Sequence, residues 1–328
     1  MSRIERRDFK VQTVDHVGIA IREVRSDVAD RTPLVLLHGT RIPGLSEYDL
    51  QVPNGSFAAD MAARGHVCFI PDARGYGRSD RPEAMSRPPH ESRPFARCLE
   101  ITRDVDACVD ALRAATGVER VALMGWGVGA TILIMYAALW PEKVSHIVLY
   151  NAIYGGGTEF PRYRNAPLED PNRPGRFNVE KYGGYAYNKL DMLLDKWDQS
   201  IPIDDKDAWR DPAVAQAFVQ ALIDGDPTSR DRDPITFRCP NGMLEDSFYI
   251  GRGQKLVHGC QVQCKVMILR PALDYFSRPE DVAALREDLT SAEDVVVWEP
   301  ADTTHYLILD RPERGRTEAL DRISAFIG

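Results

Sequence analysis

The chain has 328 residues, 44% of them hydrophobic and 27% charged, with a formal net charge of −8. That is enough for one large α/β domain with an insertion, and the acidic balance argues against nucleic acid as a partner. The N-terminal Met-Ser-Arg-Ile-Glu-Arg-Arg-Asp lacks the apolar stretch of a signal peptide, so a cytoplasmic protein is expected. Six cysteines, at 68, 98, 108, 239, 260 and 264, form no Cys-x-x-Cys pair, so neither a metal nor a redox centre is expected, and no cofactor is called for.

Periodicity predicts the elements in chain order. Val11–Val14 and Val17–Val24 read as an antiparallel pair at a sheet edge, and Pro33–His38 as a central strand covered on both faces. A short helix over Phe57–Arg64 precedes a strand at Val67–Ile70. Apolar positions Ile101, Val105, Cys108, Val109 and Leu112 mark a helix over Leu99–Ala115. Arg120–Met124 is the next strand, Ala130–Trp140 a helix stopped by Pro141, and His146–Tyr150 another strand. Val121–Leu139 has no charged side chain and is nearly long enough to span a bilayer. Its alternating glycines at 125, 127 and 129 fit a buried strand, turn and helix better, so no membrane association is expected.

The alternation then breaks for about a hundred residues, too long for a structureless loop. This stretch carries Gly155-Gly-Gly157, helices around Lys189–Asp198 and Pro212–Asp224, and many aromatics, among them Tyr154, Phe160, Tyr163, Tyr182, Tyr185, Tyr187, Trp197 and Trp209. It reads as a helical lid over 153–258, inserted in a core made of 1–152 and 259–328. The core resumes with strands Lys265–Leu269 and Val295–Trp298 and ends in a helix over Pro312–Ile327. Strands alternating with helices imply a mostly parallel sheet, here eight-stranded with helices on both faces, with ligands bound beyond the strands' carboxyl ends.

The residues after each strand therefore carry the functional reading. Gly125-Trp126-Gly127-Val128-Gly129 follows a strand and opens a helix. It is the G-x-S-x-G nucleophile elbow with glycine at the nucleophile position, Gly127. The spacing is not the G-x-G-x-x-G of dinucleotide binding, although Ala130 can fill that motif's last place. The Val128 amide would sit at a helix N-terminus, where it can hold an oxyanion. His38-Gly39-Thr40-Arg41 follows the central strand, Asp72-Ala-Arg-Gly-Tyr-Gly-Arg-Ser79 a later one, Asp274 lies five residues beyond Leu269, and His305 seven beyond Trp298.

With these motifs, from about Leu34 to Phe326, the chain resembles the α/β-hydrolase superfamily of serine esterases and lactonases. The resemblance implies an α/β-hydrolase fold, a nucleophile at the Gly127 position, Asp274 as acid and His305 as base, in the superfamily's chain order. It implies oxyanion donors on Thr40, or Gly39, and Val128, and a structural role for the Asp72–Ser79 turn. Asp302 and Asp310 are rivals for the acid, and Asn151, where some lactonases place theirs, cannot be an anion. His38, Arg41, Trp126, Tyr154 and Tyr187 are the substrate-binding candidates.

The expected function is hydrolysis of a medium-sized hydrophobic ester or lactone, stopped here by the missing nucleophile. Acid and histidine retained together favour an inactivating substitution over a decayed site. Length, lid and Trp126 resemble the bacterial hydrolases that open the macrolactone of zearalenone. Two alternatives stay open. One is an original aspartate nucleophile, as in epoxide hydrolases and dehalogenases, with Tyr182, Tyr185 or Tyr187 serving an epoxide oxygen; those families usually carry His-Gly-x-Pro, where this chain has Arg41. The other is a non-catalytic, ligand-binding relative. Assembly into a homo-oligomer is left open.

Overall fold

In a computed structural model, which describes residues 3–158 and 168–328, the central strands of one sheet are deeply buried. The strands are β1 (Ile4–Gln12), β2 (Gly18–Ser26), β3 (Leu34–Leu37), β4 (Cys68–Pro71), β5 (Val121–Trp126), β6 (Val144–Tyr150), β11 (Lys265–Leu269) and β12 (Asp294–Trp298). They form one eight-stranded sheet in the order β1-β2-β4-β3-β5-β6-β11-β12. The β1–β2 and β2–β4 pairs are antiparallel; every later pair is parallel. Every residue of β3 and β5 is buried, as both-face coverage requires. Helix α3 (Cys98–Thr116) packs on α4 (Val128–Leu139), and α2 (Phe57–Ala63) meets α10 (Arg316–Ile327).

The edge strand β1 starts seven residues before the sequence expectation. Its pattern is polar because its register is set by charge. Asp8 lies opposite Arg22 and Arg7 opposite Glu23, and both pairs form ion pairs at 2.7 Å. Opposite charges directly across a ladder stabilise an edge that buries little apolar surface.

Between β6 and β11 the described residues hold two small antiparallel pairs. One joins β7 (Glu169–Asp170) to β8 (Arg173–Phe177), the other β9 (Tyr185–Lys189) to β10 (Thr236–Pro240). The helices there are α5 (Val179–Tyr182), α6 (Asp191–Ser200), α7 (Pro212–Asp224) and α8 (Gly242–Gly251). Phe160 and Tyr163 lie outside the described residues. After β11 comes α9 (Pro279–Asp288); the last helix starts at Arg316, not Pro312, because Gly315 takes a left-handed φ of 97° and breaks the run. Among the described residues, no helix is long and apolar enough to cross a membrane.

Candidate active site

The site starts from a one-residue joint. β5 ends at Trp126, α4 begins at Val128, and Gly127 between them has φ 60° and ψ −118°. A side chain resists that conformation and glycine does not. The three glycines of the motif differ in kind. A Cβ on Gly125 would meet the Ala130 nitrogen at 2.6 Å, and one on Gly129 the His38 carbonyl oxygen at 2.5 Å, so close backbone approach requires both. A Cβ on Gly127 would meet only the Phe276 ring, at 3.4 Å. The position is sterically open and faces the cavity.

That cavity has a volume of about 230 Å³, and Thr40, Arg41, Trp126, Gly127, Phe276 and His305 contribute to its wall. Leu168, Met192, Leu193 and Lys196, with Leu244 and Ser247 of α8, cover it from the inserted segment. The wall is mostly apolar, with a few convergent polar groups, the usual make-up of a small-molecule site.

Asp274 and His305 come together across the ends of β11 and β12. His305 Nδ1 lies 2.8 Å from Asp274 Oδ1, which also accepts the Phe276 amide at 2.7 Å. Both residues are buried. The His305 carbonyl is clamped by the Tyr150 hydroxyl and the Asn151 amide, each donating at 2.7 Å. The rivals lie elsewhere. Asp302 is exposed, with φ 51°. Asp310 is buried and accepts from Thr304 Oγ1 at 2.6 Å, Trp197 Nε1 at 2.7 Å and Trp209 Nε1 at 3.1 Å. Burial, opposed by those donors, pushes its carboxyl up to about 6. These bonds tie the inserted segment, through two indoles, to the loop that carries His305.

The other nitrogen of His305 is engaged as well. Trp126 donates its indole N–H to His305 Nε2 at 2.9 Å. With Nδ1–H directed at Asp274, the one in-plane lone pair of the neutral ring is occupied by Trp126.

Of the other candidates, the Thr40 and Val128 amides line the cavity and have no acceptor among the described residues. Arg41, at φ 74°, also lines it and donates to Asn188 Oδ1 at 2.6 Å. Four expectations are corrected. The Gly39 amide is not left for an oxyanion, because Glu47 takes it, at 3.0 and 3.2 Å to its two carboxyl oxygens. His38 is buried beneath the loop and does not line this cavity: its ring bonds Gly39 O at 2.9 Å and accepts the Ala73 amide at 3.0 Å, while burial lowers its pKa. Tyr154 is a strut, its hydroxyl donating to Asp288 and accepting the Gly259 amide. Tyr187 is half-exposed on β9 beside Tyr185, and neither these two nor Tyr182 lines the cavity.

Sequence reasoning missed Glu47, Tyr275 and Tyr306 in the wall. Glu47 lies on α1 (Gly44–Tyr48), whose first amide is held by Asp72 Oδ1 at 2.9 Å. Asp72 also accepts the Arg78 amide at 2.9 Å, so the Asp72–Ser79 turn holds up this side of the site. The lone signal was an acidic residue amid Ile-Pro-Gly-Leu-Ser-Glu-Tyr. Among the described residues, no cluster of three or more His, Cys, Asp or Glu is placed to hold a metal ion.

Strand order, elbow backbone and a histidine–aspartate pair after the last two strands agree with one further observation: residues 32–192 match the sequence profile described as alpha/beta hydrolase fold. The chain has the α/β-hydrolase fold. A poly(3-hydroxyalkanoate) polymerase subunit of Haloferax mediterranei is 44% identical over 52 residues, which are 16% of this chain and 11% of that protein. The human 1-acylglycerol-3-phosphate O-acyltransferase ABHD5 is 28% identical over 123 residues, 38% of this chain and 30% of that one. The matched stretches thus span less than a third of these relatives' lengths. Among solved structures, Est816, described as an N-acyl homoserine lactone degrading enzyme, superposes with a TM-score of 0.62 at 16% identity, covering 97% of this α/β-hydrolase and all of that chain. An esterase from Exiguobacterium antarcticum gives 0.58 at 15%, covering 98% and 99%.

Proposed function

We propose that this α/β-hydrolase binds a medium-sized apolar ester or lactone in the cavity beside Gly127 and, as written, does not turn it over. The observation that carries the reading is the elbow itself: backbone built for a nucleophile, open space at the Cβ, and an aspartate–histidine pair at the same cavity. With serine at position 127, His305 would take the hydroxyl proton and Asp274 would hold the ring's tautomer and stabilise the imidazolium. The Thr40 and Val128 amides would hold the oxyanion, worth about 3–4 kcal/mol per donor in comparable sites. Water would then cleave the acyl-enzyme. Glycine supplies no nucleophile.

The lactone- and ester-cleaving neighbours support a carboxylic-ester substrate class, and the macrolactone zearalenone is the named candidate to test within it. Tyr182, Tyr185 and Tyr187, the tyrosines weighed for an epoxide oxygen, stay out of the cavity. A purely ligand-binding relative is the second reading, favoured by one observation, the Trp126 N–H that occupies the His305 lone pair.

The test compares the chain with its Gly127→Ser variant on aryl esters, with mass spectrometry for an acyl adduct. The variant should hydrolyse them orders of magnitude faster. Equal rates and no adduct overturn the hydrolase reading.

A further inference from the structure

Arg41 and Lys196 bring two positive charges into the wall of the cavity beside Gly127. Both residues are half-buried. Arg41 reaches α6 at Met192, whose Sδ lies 3.7 Å from its Nη1, and Lys196 stands four residues further along that helix, one turn away. Met192 and Lys196 both line the cavity, so the two cations flank one stretch of its roof. The guanidinium is held by a neutral group. Asn188 on β9 is buried and accepts from Arg41 Nη1 at 2.6 Å. Its amide nitrogen donates to the Ala186 and Phe237 carbonyls, each at 3.3 Å, which fixes the oxygen toward Arg41. An amide orients a guanidinium without cancelling its charge. The Lys196 ammonium likewise donates to an amide oxygen, that of Gln199, at 3.0 Å. The Arg41 backbone is committed as well: it keeps φ 74°, a conformation that a side chain resists, and its carbonyl accepts from Cys239 Sγ at 3.1 Å. Among the described residues of the wall the one acid is Glu47, which turns both carboxyl oxygens to the Gly39 amide. Burial pushes that carboxyl well above the usual carboxylate range, which weakens it as a counter-charge.

We propose that Arg41 and Lys196 form a carboxylate-binding subsite, so that the cavity takes an ester or lactone whose apolar body also carries a carboxylate. This rests on the ester- or lactone-binding reading above and narrows its substrate class. The charges match the ligand in kind. A planar guanidinium pairs with a carboxylate through two parallel N–H···O bonds, and an ammonium on a flexible stem adds a second contact. Taking a carboxylate out of water is unfavourable, and a cation already half-buried in a mostly apolar wall offsets that. The subsite also has a fixed relation to the chemistry. Arg41 directly follows Thr40, whose amide is the proposed oxyanion donor, so adjacent residues would hold the anchor and the reacting carbonyl. Gripping the carboxylate limits how the ester group can lie at the elbow.

Calorimetry on the full chain tests this with monomethyl suberate, a half-ester ending in a carboxylate, against dimethyl suberate, its neutral counterpart. The half-ester should bind about tenfold more tightly, and that preference should shrink as sodium chloride rises from about 0.05 to about 0.5 M. Arg41→Gln should remove most of the preference, and Lys196→Gln should lower it about threefold. Arg41→Lys, which keeps the charge without the fork, should fall between wild type and Arg41→Gln. An equal loss for both ligands in Arg41→Gln marks Arg41 as structural only and overturns the proposal. Equal affinity in wild type, a preference for the diester, or a preference untouched by both glutamine variants overturns it too. Should Arg41→Gln fail to fold, the salt dependence and Lys196→Gln still decide. If neither suberate binds, the proposal falls, and hydrolysis of neutral aryl esters by Gly127→Ser then tells whether the parent reading falls with it.

Discussion

Trp126 holds His305 by the nitrogen that a hydrolase needs free: the indole N–H meets Nε2 at 2.9 Å, while Asp274 holds Nδ1 at 2.8 Å. A serine hydroxyl added at position 127 would compete with Trp126 for one lone pair. We therefore expect Gly127→Ser/Trp126→Phe to hydrolyse aryl esters roughly tenfold faster in kcat than Gly127→Ser alone, about the worth of one hydrogen bond. The His305 Nε2 resonance in nitrogen-15 NMR should shift on Trp126→Phe even in the glycine chain. An unshifted resonance would mean that the indole contact is not populated in solution.

The acid assignment separates cleanly by variant. In the Gly127→Ser background, Asp274→Asn should lower kcat by orders of magnitude, since the amide can no longer fix the imidazole tautomer. Asp302→Asn should leave kcat within about twofold, because Asp302 is exposed. A larger loss from Asp302→Asn in steady-state assays would reverse the assignment.

Stability discriminates among the three glycines. Gly127→Ser places its Cβ 3.4 Å from Phe276, so its penalty is the positive φ, on the order of 1–3 kcal/mol. For a chain of this length that is a fall of roughly a few degrees in melting temperature. Gly125→Ala and Gly129→Ala drive a Cβ into backbone at 2.6 and 2.5 Å and should cost clearly more. Scanning calorimetry of the three variants gives the order, and a serine variant melting above the parent would remove Gly127 from a strained elbow.

Asp310 gives a pH prediction whose sign is fixed by linkage. Its folded pKa, about 6, lies above the usual 3.8, so between those values the folded chain binds this proton more tightly than the unfolded chain. The stability it contributes is full below about pH 4 and is lost as pH rises through 6. Asp310→Asn, which has no such proton, should therefore cost more at pH 4.5 than at pH 7, by on the order of 1–3 kcal/mol. Urea melts of both chains at the two pH values read the difference. A cost that grows with pH contradicts the buried, proton-favouring site.

What could be read from the sequence follows from where its signals are local. β3, β5, β6 and β11 are apolar runs because both faces are covered, and the elbow, Asp274 and His305 sit a few residues beyond strand ends. The Tyr185–Lys189 and Thr236–Pro240 pairing joins segments some fifty residues apart, and each strand is only five residues long. Tyr154 and Tyr187 looked like ligand contacts because aromatics are frequent in the inserted segment, yet tertiary packing sets Tyr154 against Asp288, and Tyr187 meets Tyr185 two residues before it on the same strand. Glu47 was invisible for the opposite reason: one acid in a loop looks like a solvated charge until the fold buries it.

The clasp of Trp197 and Trp209 on Asp310 also constrains motion. Asp310 and His305 lie five residues apart on one loop, and Trp197 is on α6, whose Met192, Leu193 and Lys196 roof the cavity. A movement of α6 away from the cavity would break the Trp197 bond to the buried Asp310 carboxyl or tug the histidine's own tether, while Trp209, outside that helix, keeps its hold. Entry and alignment of the base are thus geared to each other, so slow exchange of a bulky guest and a displaced imidazole should be observed as one event.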